Sequence, residues 1–151
     1  MSRTLHVAAA AVAPLCVATF LVSTLAVELL GSAEAIAGVK AAIVAPGLWL
    51  LVPAMAALGG SGIRLARTRR DPLVEAKRRR MRLVAANGLL VLVPCALLLD
   101  TWASAGRFDT AFFALQGVEL LAGSANLALM LSGLRDGRRL AARRRVAAAR
   151  G

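Results

Sequence analysis

The chain has 151 residues, of which 59% are hydrophobic, 18% charged and 4% aromatic, and its mean hydropathy is +0.71. A soluble domain is typically about 45–50% apolar and about 25% charged, so this composition excludes a disordered chain and favours one that lies in lipid. The 19 Lys and Arg residues against 8 Asp and Glu residues give a formal charge of +11. The positions of these charges decide whether they serve nucleic-acid binding or membrane orientation.

Four apolar stretches predict transmembrane helices. They cover residues 7–30, 40–63, 83–105 and 110–134. Each is longer than about 20 residues, which is enough for a helix to cross about 30 Å of hydrocarbon. The stretches are apolar on every face, whereas the strands of a membrane barrel alternate polar and apolar residues. We therefore expect an all-α integral membrane four-helix bundle, with residues 1–151 forming a single transmembrane domain.

The connections between the stretches predict two antiparallel hairpins. Residues 31–39 and 105–109 are too few to hold a domain, so each joins two neighbouring helices. The longer connection, 64–82, and the tail, 135–151, are basic. Asp71 followed by Pro72 is a typical helix start, so the third helix is expected to begin before it enters the bilayer.

The distribution of basic residues predicts the orientation. Seventeen of the 19 Lys and Arg residues lie before the first stretch, in the 64–82 connection or in the 135–151 tail. Only Lys40 and Arg107 fall on the opposite side. Because basic residues are enriched in cytoplasmic loops, we expect both termini to be cytoplasmic in a multi-pass protein of the inner or plasma membrane.

The N-terminus allows one alternative. Arg3, the following apolar run and the small residues around Glu34 are similar to a secretory signal peptide with its cleavage site. The apolar run is about twice the usual 7–15 residues of such a signal. A retained membrane helix is therefore the preferred interpretation, and removal of residues 1–35 by cleavage is the alternative.

Glu119 is the most deeply placed charge in the apolar stretches. It lies nine residues into the fourth stretch, about 13 Å from its end at helical rise. Gln116, Gly123 and Asn126 recur with it at spacings of three and four, so these residues share one helix face. Ionisable residues in hydrocarbon are costly, so this face is expected to point into the bundle. Glu28, Asp100 and Lys40 lie nearer the ends of their stretches and are expected to reach headgroups or water.

Depth suggests partners for these polar side chains. Thr19 and the Pro46 region are expected at the depth of Glu119, and a proline frees the carbonyl four residues earlier, here that of Ala42. Pro53 and Pro94 likewise free the carbonyls of Trp49 and Leu90. A protonated Glu119 could donate to one of these three carbonyls or to Thr19. Asn87 and Asn126 lie at comparable depths, which predicts an amide pair between two helices.

The second stretch should be the least regular of the four. It contains Pro46 and Pro53, with Gly47 and a glycine-rich segment at residues 59–62. Interrupted helices of this kind line ion or substrate sites in transporters. Gly and Pro are also common in ordinary membrane helices, where small residues allow close packing.

Two functions are compatible with these polar residues. The preferred interpretation is a non-catalytic membrane subunit or scaffold, in which Glu119, Gln116, Asn126, Asn87 and Thr19 fix the packing of the helices. The alternative is a small proton- or ion-coupled transporter or channel centred on Glu119. Because one copy supplies only four helices, a homo-oligomer or another membrane protein is an expected partner.

The basic segments are expected to lie on anionic lipid headgroups. They lack the interleaved aromatic residues that stack on bases, so we expect no nucleic-acid binding, and an acidic cytoplasmic protein is the alternative partner. The residues expected to face the headgroups are Arg78, Arg79, Arg80, Arg82, Arg143, Arg144 and Arg145.

The sequence favours no enzyme and no resident cofactor or metal. His6 is the only histidine, which excludes a bis-histidine haem and a three-histidine zinc site within the chain. Cys16 and Cys95 fall inside apolar stretches and are expected to be inert core residues. A Cu(I) site between them, or an electron-transfer subunit with ligands from another chain, remains the alternative. Phosphate-loop and serine-nucleophile motifs are missing from the sequence.

Overall fold

A computed structural model of the protein describes residues 3–66 and 72–148, and every regular element in these two ranges is helical. The helices are α1 (Arg3–Leu30), α2 (Ala33–Ala42), α3 (Trp49–Ala66), α4 (Pro72–Asn87), α5 (Val93–Ser104) and α6 (Thr110–Ala148). A kinked segment, Ile43–Leu48, joins α2 to α3, and a wider π-helical segment, Gly88–Leu92, joins α4 to α5.

Four helical stretches in the described ranges are long and apolar enough to span a membrane. They are Val7–Leu30, Ala33–Gly60, Arg78–Ser104 and Thr110–Gly137. The four helices predicted from the sequence are therefore present, as expected of a multi-pass membrane protein. Large apolar side chains such as Leu15, Trp49 and Leu121 are exposed on the outside of the bundle, where a lipid-facing surface requires them.

The second membrane helix begins earlier than the sequence suggested. The expected start at residue 40 is wrong, because α2 begins at Ala33 and the turn before it contains only Gly31 and Ser32. The backbone N–H of Ala35 donates to Oγ of Ser32 over 3.3 Å, and Glu34 lies in the first turn. Both features stabilise a helix N-terminus. As a result, Lys40 lies two turns inside the helix.

The same membrane helix is interrupted at its middle. Ala45 has an extended backbone, with φ −140° and ψ 115°, and the peptide bond that follows it, to Pro46, is cis. Proline has no N–H to donate to a helix. The helix therefore consists of two segments, α2 and α3, which confirms the expected irregularity.

The third membrane helix begins before the apolar stretch, as predicted. Its first segment, α4, starts at Pro72 and carries a basic series before it becomes apolar. The proposed cap, Asp71, lies outside the described residues. The π-helical segment at Gly88–Leu92 then leads into α5.

A short exposed turn joins α5 to α6. Asp109 caps α6, because its Oδ1 accepts the backbone N–H of Phe112 over 3.0 Å. Nε of Arg107 donates to Oδ2 of Asp109 over 2.6 Å, and the Arg107 guanidinium lies 4.5 Å from the centre of the Trp102 ring. The hydrogen bonds from Arg107 and from the Phe112 backbone lower the pKa of Asp109.

Two apolar core layers lie toward opposite ends of the bundle. The first layer contains Ile36, Cys95, Leu99, Ala103 and Phe112. The second contains Ala13, Val17, Val84 and Met130. The residues of the first layer lie near the helix ends that flank the two short turns, and we call this side of the bundle the turn end. The second lies toward the opposite side, here called the basic end, where α4 begins and α6 finishes.

Candidate functional site

The centre of the bundle holds an ion pair between two helices. Nζ of Lys40 on α2 lies 2.7 Å from Oε2 of Glu119 on α6, and Lys40 is 0% exposed. The expectation that Lys40 reaches headgroups or water is therefore wrong. The early start of α2 explains the difference, because it places Lys40 about 10 Å along the helix at 1.5 Å per residue.

Gln116 supports this ion pair from the same helix as Glu119. Its Nε2 donates to Oε2 of Glu119 over 3.0 Å, and the Gln116 residue is 1% exposed. Thus two donors, Lys40 and Gln116, share one carboxylate oxygen. The amide Oε1 of Gln116 is buried and accepts no hydrogen bond from the described residues.

A second carboxylate belongs to the same electrostatic group. Glu28 on α1 interacts with both Lys40 and Glu119, while its Oε1 is buried without a hydrogen-bond partner among the described residues. We call Glu28, Lys40, Gln116 and Glu119 the charged cluster. Asp100 on α5 has a similar buried and unpartnered Oδ1. Glu28 and Asp100 are half-buried residues, and the bundle covers one carboxylate oxygen of each.

A small apolar cavity lies beside Glu119, with a volume of about 50 Å³. Glu119 is its charged wall residue, and Thr24 contributes a hydroxyl. The remaining wall is apolar and includes Phe20, Ile43 and Ala96. Ile43 begins the interrupted segment between α2 and α3, so the cavity lies where the second membrane helix is broken.

Two glycines allow α1 to approach this region closely. A Cβ atom on Gly47 would lie 2.7 Å from Cζ of Phe20 and 2.9 Å from the carbonyl oxygen of Ala42. A Cβ atom on Gly123 would lie 3.0 Å from Cδ2 of Leu21. Phe20 and Leu21 line the cavity, so the glycines determine how closely its walls pack.

A separate amide contact joins α4 to α6 toward the basic end. Nδ2 of Asn87 donates to Oδ1 of Asn126 and to the Ala122 carbonyl, both over 2.9 Å. Nδ2 of Asn126 donates to the Val84 carbonyl over 3.3 Å. The predicted amide pair is therefore present. We call Asn87 and Asn126 the amide clamp, in which each side chain contacts the backbone of the other helix.

The basic end also carries an ion pair between α4 and α6. A guanidinium nitrogen of Arg80 contacts Oδ2 of Asp136. Arg78, Arg79 and Arg82 are exposed on α4. The other residues predicted to face headgroups, Arg143, Arg144 and Arg145, belong to the helical backbone of α6, and their side chains lie outside the description.

The structure separates the five residues predicted to form one intramembrane polar site. Glu119 and Gln116 belong to the charged cluster, while Asn87 and Asn126 form the amide clamp. Thr19 is exposed on the surface of α1, so the expected contact between Thr19 and Glu119 is wrong. Thr24, which is 2% exposed, lines the cavity instead. The two threonines differ by roughly 7.5 Å in depth at helical rise, and they also lie on different faces of the helix.

Sequence reasoning missed the roles of Lys40 and Glu28. The signal that identifies them is the pair Ser32 and Glu34, which starts α2 seven residues before Lys40. With that start, Lys40 lies seven residues inside α2, whereas Glu28 lies only three residues before Gly31. The buried Cys95 packs in the same apolar layer as Ile36, which places α5 beside α2.

No disulfide joins the two cysteines, which are both free thiols. Among the described residues, no group of three or more His, Cys, Asp or Glu side chains is arranged to hold a metal ion. The chemistry available to the charged cluster is therefore ion pairing, hydrogen bonding and proton exchange. No protein-family model matches the chain, and no curated protein or solved structure shows significant similarity to it.

Proposed function

We propose that the protein is a small cation-coupled or proton-coupled membrane transporter or channel that acts through Glu119. The observation that carries this proposal is the charged cluster, in which the Lys40 ammonium pairs with Glu119 inside a bundle of apolar helices while a second carboxylate, Glu28, lies within electrostatic range of both. When Glu28, Lys40 and Glu119 are ionised, they carry one net negative charge. A monovalent cation or a proton neutralises it.

The cost of burying charge supports a functional cluster. An ionisable side chain at the centre of a membrane helix costs about 2.5–3.5 kcal/mol on insertion scales. A group needed only for packing should have its hydrogen bonds satisfied, as the amide clamp does. The charged cluster instead leaves Oε1 of Glu28 and Oε1 of Gln116 without partners in the described structure.

The break in the second membrane helix supports the same proposal. Interrupted helices in transporters expose backbone groups next to ion or substrate sites. Here the interrupted segment Ile43–Leu48 begins three residues after Lys40 and contributes Ile43 and Leu48 to the cavity wall. The cavity, the Glu119 carboxylate and the break in the second membrane helix therefore lie in the same part of the bundle.

The proposed setting is the inner or plasma membrane, with both termini in the cytoplasm and the turn end outside. The basis is the distribution of Lys and Arg between the two ends of the bundle. Anionic headgroups are the proposed contacts of exposed Arg78, Arg79 and Arg82. We propose no catalytic activity and no nucleic-acid binding.

The test is a flux measurement on the full chain reconstituted in liposomes. Proton, sodium and potassium gradients are applied in turn, and internal dyes report movement of each ion. Glu119→Gln keeps the size and hydrogen-bonding capacity of the side chain but removes its charge, so it should lose at least nine tenths of the flux. Asp109→Asn is the matched control, because Asn remains a good helix cap at an exposed position.

A second variant separates loss of function from loss of fold. In the exchange Lys40→Glu with Glu119→Lys, the opposite charges remain on α2 and α6 but the carboxylate leaves the cavity wall. We expect a stable bundle without flux. Flux that persists in both the exchange variant and Glu119→Gln would exclude the proposed role of Glu119.

The second candidate function is a non-catalytic membrane subunit or scaffold. The satisfied contacts between α4 and α6, namely the amide clamp and the Arg80–Asp136 ion pair, favour it because they fix two helices without leaving buried acceptors. Purification in a mild detergent tests this candidate. A defined membrane partner in constant stoichiometry, together with the absence of flux in the wild type, would favour the scaffold over the transporter.

A further inference from the structure

We infer that Glu28 carries the exchangeable proton of the proposed transport site, while Lys40 and Glu119 remain an ion pair beside it. This inference rests on the proposed function, since it names the coupling ion as a proton and assigns the residue that binds it. It combines three features of the described residues: the hydrogen bonds of the two carboxyl groups, the charge of the cluster and the position of Glu28 in the bundle.

The two carboxyl groups of the charged cluster differ in their hydrogen bonds. Oε2 of Glu119 accepts from Nζ of Lys40 over 2.7 Å and from Nε2 of Gln116 over 3.0 Å. Oε1 of Glu28 is buried and has no hydrogen-bond partner among the described residues. Two N–H donors on Glu119 match an ionised carboxylate, which only accepts. A proton is accommodated on Glu28 instead, because no described donor competes for its Oε1.

The charge of the cluster is balanced when one of its two carboxyl groups is protonated. Lys40 is 0% exposed, and its ammonium forms the ion pair with Glu119. An ionised Glu28 would add an uncompensated negative charge to a bundle of apolar helices, which is costly. Because the ammonium already contacts Glu119, a proton on Glu28 makes the whole cluster neutral.

The charges that act on Glu28 come from two of the helices packed against α1. They are Lys40 on α2 and Glu119 on α6. Helix α3, which also packs against α1, has no ionisable residue from Trp49 to Ile63. Lys40 favours a negative charge on Glu28, and Glu119 opposes it. The protonation of Glu28 is therefore coupled to the ion pair.

Glu28 lies between the buried ion pair and the turn end. It is half-buried, whereas Lys40 is fully buried. Glu28 stands three residues before Gly31, which is about 4.5 Å at helical rise. The positions from Leu29 to Ser32 are all exposed. A proton that leaves Glu28 therefore has a short route to the turn end.

The exchange step needs no reactant other than water. The O–H bond of the Glu28 carboxyl group breaks, its electron pair stays on the carboxylate, and a water molecule at the turn end takes the proton. Return of a proton to Glu28 restores the neutral cluster. Glu119 is required because it holds the Lys40 ammonium. Without Glu119, the ammonium would neutralise Glu28 in place of a proton, and exchange would stop.

The first experiment is infrared spectroscopy on the full chain in detergent, in neutral and in alkaline buffer. Exposed carboxyl groups are ionised in neutral buffer, so the C=O stretching band of a protonated carboxyl group there identifies a shielded one. We expect this band in the wild type and a loss of at least nine tenths of it in Glu28→Gln. Asp100→Asn is the matched control, because Asp100 is half-buried and also has an unpartnered oxygen. A band that persists in Glu28→Gln, or is missing from the wild type, would overturn the inference.

The second experiment measures proton flux in liposomes. Glu28→Gln keeps the shape of the protonated side chain but cannot release a proton. It should reduce proton flux at least tenfold, while circular dichroism shows an intact helical fold and Asp100→Asn keeps its flux. Glu28→Asp retains a carboxyl group and should retain pH-dependent flux. Normal flux in Glu28→Gln, or equal loss in Glu28→Gln and Glu28→Asp, would overturn the proton-carrying role.

The outcomes also separate this inference from the proposed function. A protonated Glu28 in a chain that moves no ion across liposomes would support the assignment of the proton and contradict transport. Sodium or potassium flux that depends on Glu119 but is normal in Glu28→Gln would support transport and contradict the inference.

Discussion

Glu119 accepts two hydrogen bonds on one oxygen, and both donors lie in buried surroundings. The ion pair links α2, which carries Lys40, to α6, which carries Glu119. Glu28 adds α1, because its carboxyl group lies within electrostatic range of both residues. Removing one member leaves its partner as an unpaired charge. The contribution of the Lys40–Glu119 pair to the free energy of unfolding is therefore measured by replacing each residue alone and both together.

The first prediction concerns this coupling. Lys40→Met and Glu119→Leu should each lower the free energy of unfolding by about 3–5 kcal/mol, since a buried charge loses its partner. The double variant should recover most of the loss, because two apolar side chains replace the whole pair. Unfolding in mixed detergent micelles measures all four proteins, and additive losses would contradict the coupling.

The amide clamp gives the second prediction. Asn126→Ala removes the partners of both the Asn87 amide and the Val84 carbonyl, and interhelical hydrogen bonds in membrane proteins contribute about 0.6–2 kcal/mol. We expect a loss of about 1–2 kcal/mol in the free energy of unfolding, with cation flux retained. Ser124→Ala, at an exposed position of the same helix, should leave stability unchanged.

At the scale of elements, the second membrane helix contains a position where a side chain does not fit. Its break brings Gly47 against Phe20 of α1, and the same glycine lies next to the Ala42 carbonyl. A backbone atom cannot move aside as a flexible side chain can. The separation between α1 and the interrupted segment is therefore set by the absence of a side chain at Gly47.

The third prediction follows from this contact. Gly47→Ala should lower the unfolding temperature and reduce cation flux, because the new methyl group would displace Phe20, which lines the cavity. Its matched control is Gly59→Ala in the same membrane helix, where a Cβ atom meets nothing within 4 Å. This control should match or slightly exceed the wild type in stability, since Ala is the better helix former. Equal stability of the two variants would contradict the close approach.

The sequence predicted the positions of the membrane helices well and the side-chain contacts between them less well. Hydropathy and length located all four membrane helices, and the depths of Asn87 and Asn126 located their contact. Rotation about a helix axis is harder to obtain, since a change of one residue turns a side chain by about 100°. For that reason Thr19 was placed on the wrong face.

The error at Lys40 has a different cause. Hydropathy assigns a charged residue to the end of an apolar stretch, whereas the helix start is set by the local cap at Ser32. A residue that neutralises a neighbour also reduces its own cost of burial. That compensation depends on Glu119, which lies 79 positions away in the sequence, so a window of neighbouring residues cannot reveal it.

At the scale of the whole molecule, the two ends of the bundle differ in charge. The basic end carries an ion pair between α4 and α6 and three exposed arginines, Arg78, Arg79 and Arg82. The turn end carries the exposed Arg107–Asp109 pair, whose charges cancel. Anionic lipid on one leaflet would therefore attract one end of the molecule only.

The fourth prediction tests the orientation. A fluorescent protein fused after Gly151 should fluoresce, and alkaline phosphatase at the same position should be inactive, if the basic end is cytoplasmic. Replacing Arg78, Arg79 and Arg82 together with Gln should weaken this preference. Phosphatase activity from the C-terminal fusion of the unaltered chain would contradict the proposed topology.

Helix α6 is longer than the apolar stretch that it contains. Its 39 residues extend about 58 Å at 1.5 Å per residue, roughly twice the thickness of the hydrocarbon. From Gly137 to Ala148 the helix continues for about 16 Å past the apolar stretch. A rigid domain joined to this helix in continuous register would turn with the bundle. Such a fusion would give a 15.7 kDa protein the mass and asymmetry that single-particle imaging needs, and it would add them at the basic end of the bundle.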